Sequence, residues 1–82
     1  MLDLVFTDHA KGVLTERNIL ADWVWQTLAA PSQRQIGNDG NIHYLKPIEN
    51  YDNRVLRVVV NERVRPNRII TVFFDRRMRG KL

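Results

Sequence analysis

The hydrophobic pattern changes period once along this chain, near residue 32. Leu2 to Phe6 alternates briefly and predicts a short first strand. Thr7 or Asp8 then caps a helix, with acidic residues in the first turn where the helix dipole favours them. Ala10, Val13 and Leu14 give that helix an apolar stripe, and Arg17-Asn18 ends it, because asparagine tolerates left-handed geometry. A second helix is predicted over Ile19–Ala30. Leu20, Trp23, Val24, Thr27 and Leu28 recur there at helical spacing, and Pro31 stops it.

From Ser32 onward the pattern is that of strands. Gln33–Gly37 and Ile42–Lys46 flank Asn38-Asp39-Gly40-Asn41, a strong hairpin signal. Pro47 to Asn53 reads as a polar connection. Arg54–Glu62 and Arg68–Asp75 are near-continuous apolar runs, the pattern of central strands buried on both faces. Pro66-Asn67 marks the turn between them. Residues 76–82 read as a basic C-terminal tail. Helices followed by a run of strands predict an α+β fold. At 82 residues the chain holds one domain, residues 1–82, with no room for two cores.

Charge adds a second division. Residues 1–53 carry four bases and seven acids, whereas residues 54–82 carry nine bases and two acids. Ten of the thirteen basic residues are arginine, whose planar donor fork suits phosphate or carboxylate. A basic half points to a polyanion, either nucleic acid or an acidic protein. With no cysteine, a disulfide scaffold, a thiolate zinc site and a cysteine nucleophile are excluded. No uncharged stretch approaches the roughly 20 apolar residues of a membrane span, and no signal peptide is visible. A cytoplasmic location is expected, with no membrane partner.

Few residues offer chemistry. His9 lies in the first turn of the first helix, on the side that also carries Val13 and Arg17. It is a candidate for proton transfer near neutral pH, or else a polar residue packed at the sheet edge. His43 and Tyr44 occupy adjacent strand positions and must face opposite sides of the sheet. Arg57 shares one face of its strand with Val55 and Val59, and Leu56, Val58 and Val60 share the other. An arginine among such neighbours needs a partner or a wet cleft. The Arg76-Arg77-Met78-Arg79 cluster at a strand end suits phosphates, and it equally suits a solvated tail. No phosphate loop, metal-ligand spacing or nucleophile elbow appears, so neither metal nor cofactor is expected. Metal-free RNA cleavage needs only a base, an acid and a cation for the crowded phosphorane oxygens, and these residue types suffice for it.

Phe6-Thr7-Asp8-His9-Ala10, Glu16-Arg17-Asn18-Ile19, then Val24 and Leu28 before Pro31 resemble the opening of a family of small bacterial proteins. Gly40 to Tyr44, Val55 to Asn61 and Ile69 to Arg77 resemble its later strands. The family is the domain of unknown function 4258, which looks related to RelE-like and BrnT-like toxins of bacterial toxin–antitoxin modules. The resemblance implies a RelE-like fold, with two N-terminal helices packed on a twisted antiparallel sheet of about four strands. It implies the toxin of a type II pair, a metal-independent endoribonuclease with RNA as substrate and a cognate antitoxin as partner. His9 and Arg17 fall on its H-A and E-R positions, Tyr44 on the aromatic position of its hairpin and Arg57 on its strand arginine, and these four are the candidate catalytic residues; Asn18 stands where glycine is frequent. Arg68, Arg76, Arg77, Arg79 and Lys81 are the candidate RNA-binding residues. The rival expectation is a basic interaction module that binds an acidic protein or nucleic acid and breaks no bond.

Overall fold

The computed structural model describes residues 3–82. The chain runs β1 (Leu4–Phe6), α1 (Asp8–Glu16), α2 (Ala21–Ala29), β2 (Gln33–Ile36), β3 (Ile42–Ile48), β4 (Arg54–Asn61) and β5 (Asn67–Phe74). Single 3-10 turns lie at Glu49–Tyr51 and Arg76–Met78. The α+β class holds, but the sheet has five strands rather than four and is mixed rather than antiparallel, in the order β1-β5-β4-β3-β2. The difference lies in β1, which pairs in parallel with β5 from Leu4–Asn67 to Phe6–Ile69. Those three residues cover part of an edge that would otherwise present unpaired backbone. Leu2, at the start of the predicted first strand, lies outside the described residues.

Local chemistry sets the helix ends. The Thr7 hydroxyl caps α1 by accepting from the Ala10 N–H at 3.1 Å. Beyond Arg17, Asn18 takes a φ of 55°, which turns the chain sharply. The second helix is shorter than its sequence pattern. Ile19 and Leu20 lie outside the helix, Leu20 as its extended N-cap and Ile19 with its N–H bonded back to Leu14 O at 2.9 Å, so Ile19 reaches the core from a loop. Further on, Pro47 and Ile48 extend β3 rather than opening a connection.

The core lies on one face of the sheet. Ala10 of α1 and Trp23, Val24 and Leu28 of α2 pack with Leu56, Val58, Val60, Ile69 and Val72. Burial of these apolar surfaces is the main favourable term in folding. A register shift between Val59 and Val60 lets Val59 face Thr71 and Val60 face Ile69, so Ile70 is the extra residue of a bulge. The first helix runs along the edge of β5 that β1 leaves free. The Thr7 hydroxyl donates to Ile70 O at 3.3 Å, and Arg17 Nη1 donates to Val72 O at 3.0 Å. Thus α1 both covers the core and satisfies exposed strand carbonyls.

Candidate functional site: an arginine-lined cleft at the end of the sheet

Where β5 ends and β4 begins, a cleft of about 730 Å³ opens between the C-terminal end of α1 and the Arg76–Met78 turn. Four arginines line it: Arg17, Arg54, Arg76 and Arg79. Its apolar wall includes Tyr51, Phe73 and Phe74, and Asp75 is its one acidic lining residue. Arg79 Nη2 donates to Asp52 Oδ2 at 2.8 Å. The side chains of Arg54 and Arg76 make no hydrogen bond or ion pair with any described residue. Such an arrangement presents fixed positive charge and donor forks to an anion.

The catalytic candidates divide between two places. His9 and Arg17 come together on the β5 edge, because His9 Nε2 lies 3.5 Å from Thr71 Oγ1 while Arg17 reaches the carbonyl of the next residue, Val72. Thr71 and Arg17 both line the cleft, which puts the exposed imidazole of His9 at its rim. Tyr44 is elsewhere. It pairs with Val58 and so faces the helices, where its hydroxyl donates to Glu62 Oε2 and lies 3.4 Å from Arg34 Nε. Burial and the hydrogen bond to Glu62 both push the Tyr44 phenol above its ordinary value. Tyr44 and its two partners, Arg34 and Glu62, lie outside the cleft lining, so the structure does not bring Tyr44 together with the other candidates.

Arg57 lies on the other face of β4, opposite Phe73, and is 9% exposed. Its Nε and Nη2 donate to Asp75 Oδ2 at 3.0 and 2.8 Å. The second carboxylate oxygen, Oδ1, accepts the Arg77 N–H at 3.0 Å and caps the Arg76–Met78 turn. Burial raises the affinity of Asp75 for a proton, but hydrogen bonds from Arg57 and Arg77 outweigh it and hold the carboxyl below its usual range. The third guanidinium nitrogen of Arg57 lies 2.9 Å from His43 Nδ1. Arginine only donates, so this contact makes His43 Nδ1 an acceptor and puts the proton of the neutral ring on Nε2. Nε2 in turn lies 3.3 Å from Asp39 Oδ1. A polar chain therefore runs from the hairpin tip through His43, Arg57 and Asp75 to the turn that carries Arg76 and Arg79. A Cβ at Gly37 would collide with the His43 ring, so glycine there keeps the chain in place. Arg57 thus holds Asp75, which in turn caps the turn that forms one wall of the cleft.

The remaining basic candidates are unequally placed. Arg76 and Arg79 line the cleft. Arg77 is exposed, with its Nε 3.4 Å from Asp75 Oδ1. Arg68 is exposed on β5 opposite Asn61, away from the cleft lining, and Lys81 is exposed beyond the turn. The predicted tail is thus partly structured, because Asp75 caps its first residues as a 3-10 turn. Sequence reading missed Tyr51, Arg54 and Asp75. Arg54 stood at a strand start like any surface arginine, and only the cleft gives it a role. Asp75, the lone acid before three arginines, was the available signal.

Among the described residues no group of three or more His, Cys, Asp or Glu side chains is placed to hold a metal ion, and no helix is long and apolar enough to cross a membrane. No curated protein and no solved structure matches the chain. The family model for the domain of unknown function DUF4258 matches residues 6–74, from the last residue of β1 to the last of β5, and the chain belongs to that family.

Proposed function

We propose that the protein is the toxin of a type II toxin–antitoxin pair, a metal-independent endoribonuclease that acts on cytoplasmic RNA at the arginine-lined cleft. The observation that carries the reading is the convergence of Arg17, Arg54, Arg76 and Arg79 on one cleft with His9 at its rim. The guanidinium groups bind the phosphates and offset the charge that builds on the phosphorane oxygens. His9, as the neutral imidazole, takes the proton of a ribose 2′-hydroxyl. The O2′–P bond forms, the P–O5′ bond breaks, and the leaving oxygen takes a proton from water at the open rim; the hydroxide so formed takes the proton from His9 and returns it to the neutral form. The products are a 2′,3′-cyclic phosphate and a 5′-hydroxyl. An acidic antitoxin segment would neutralise the same arginines and so shut the cleft.

The test is incubation of purified protein with single-stranded RNA in excess chelator. The expected result is fragments ending in cyclic phosphate. Replacement of His9 by Ala should slow cleavage about 100-fold or more, the ordinary contribution of a positioned base. RNA that is bound and left intact by folded protein overturns the enzyme reading in favour of the non-catalytic module. That rival has its own support in Tyr44 and Arg57, both of which are tied into internal contacts.

A further inference from the structure

We infer that Arg54, backed by Tyr51, is a stacking platform for a nucleobase, which makes the cleft selective for single-stranded RNA with an unstacked base. The inference rests on the reading of the cleft as an RNA site and adds to it the part of the ligand that phosphate contacts ignore.

Tyr51 is one corner of an aromatic triangle with Trp23 and Phe74, whose own ring centroids are 6.0 Å apart. Its ring centroid lies 5.2 Å from that of Trp23 and 4.9 Å from that of Phe74, at interplanar angles of 33° and 38°. Trp23 belongs to the buried core and Phe74 packs against it, so the triangle is anchored there. The Arg54 guanidinium carbon sits 5.1 Å from the Tyr51 ring centroid. Cation–π attraction holds the guanidinium against the ring and restrains a side chain that would otherwise sweep through solvent. Arg54 is exposed, lines the cleft, and has no acidic partner among the described residues. Its guanidinium thus lies beside an aromatic ring that is itself exposed and lines the cleft, with no hydrogen-bonding partner of its own among the described residues.

A plane with a delocalised positive charge is a good stacking surface for any base, because every base has a π-face. Arg17, Arg76 and Arg79 line the same cleft, so a nucleotide whose base lay on Arg54 would have guanidinium groups for its phosphate. A base within a duplex is stacked on both sides and cannot reach the platform without being extruded. Base identity is not read by this contact, so the preference is for strandedness rather than sequence.

The test uses a short 2′-O-methyl oligonucleotide with one 2-aminopurine, which lacks the attacking hydroxyl and reports stacking by loss of fluorescence. The control is the same oligonucleotide with an abasic residue at that position. Wild-type protein should quench the fluorophore and bind the abasic control about tenfold more weakly, the usual worth of one stacked base. Arg54→Lys keeps the charge and removes the plane. It should abolish the quenching and bind both oligonucleotides about equally. Binding without quenching, or equal wild-type affinity for the two oligonucleotides, overturns the platform and leaves the RNA reading standing. No binding of either oligonucleotide overturns both. Quenching that survives in Arg54→Lys removes Arg54 from the role.

Discussion

The two faces of β4 are both buried, and they are built on opposite principles. Leu56, Val58 and Val60 meet the helices in a core built almost entirely of apolar side chains. On the reverse face, Val55 and Val59 flank Arg57, whose charge is met by Asp75 and whose remaining donor faces His43. The helix face is held by area removed from water, a non-directional force that tolerates substitutions of similar volume. The reverse face is held by donors and acceptors that must all be present, because an unpaired buried charge is expensive. The first face makes the domain fold. The second holds the Arg76–Met78 turn in one position, and with it two of the cleft arginines.

The sharpest way to break this contrast is to remove one partner of the buried pair. Arg57→Ala strands the Asp75 carboxylate and should cost about 4 kcal/mol in urea unfolding. Arg57→Met combined with Asp75→Leu should recover most of that stability, since an apolar replacement needs no partner. RNA affinity should stay low in the double variant because the cap of the Arg76–Met78 turn is gone. A double variant that is stable and still binds RNA normally would remove the positioning role. On the helix face, Leu56→Ala should cost about 3 kcal/mol through lost burial and a residual cavity, and it should leave RNA affinity unchanged once the protein is folded.

Acid separates the faces without mutation. The folded-state pKa of Asp75 lies below its unfolded value. Its contribution is therefore fully present above the ordinary carboxylate range and is lost as pH falls through that range to the lowered folded value. Thermal stability measured from neutral pH downward should fall through this window, and Asp75→Asn should flatten the curve at the cost of lower stability at neutral pH.

Two smaller effects complete the series. Tyr44→Phe deletes the hydrogen bond to Glu62 and should cost about 1 kcal/mol while RNA cleavage persists at the wild-type rate. A large loss of rate in the folded variant would return Tyr44 to the chemistry. Arg76→Ala, at an exposed side chain without an internal partner, should change stability by under about 0.5 kcal/mol. It should reduce the salt dependence of RNA binding by roughly one phosphate contact, read as the slope of log affinity against log salt.

Periodicity and turn chemistry marked the two helices, the hairpin about Asp39-Gly40 and the two long apolar strands. These are local signals, carried by residues within one element. The parallel pairing of β1 with β5 was not legible, because three residues of strand carry no information about a partner more than 60 positions away. The exclusion of Ile19 and Leu20 from the second helix was hidden for a related reason. Both fit a helical stripe, and only the sharp turn at Asn18 and the position of the core decide otherwise.

The same division holds for the site. By itself the sequence determined that the C-terminal part of the chain is arginine-rich, that His9 and Arg17 share a side of the first helix, and that Arg57 needs a partner or a wet cleft. Those conclusions follow from composition, helical geometry and the cost of burying a charge. Only the tertiary structure decided that the partner is Asp75, that Tyr44 faces away, and that Arg54 on Tyr51 joins Arg17, Arg76 and Arg79 around one cleft. Each of these depends on which residues lie opposite one another across strands and turns, and that register is fixed by packing between segments distant in the chain.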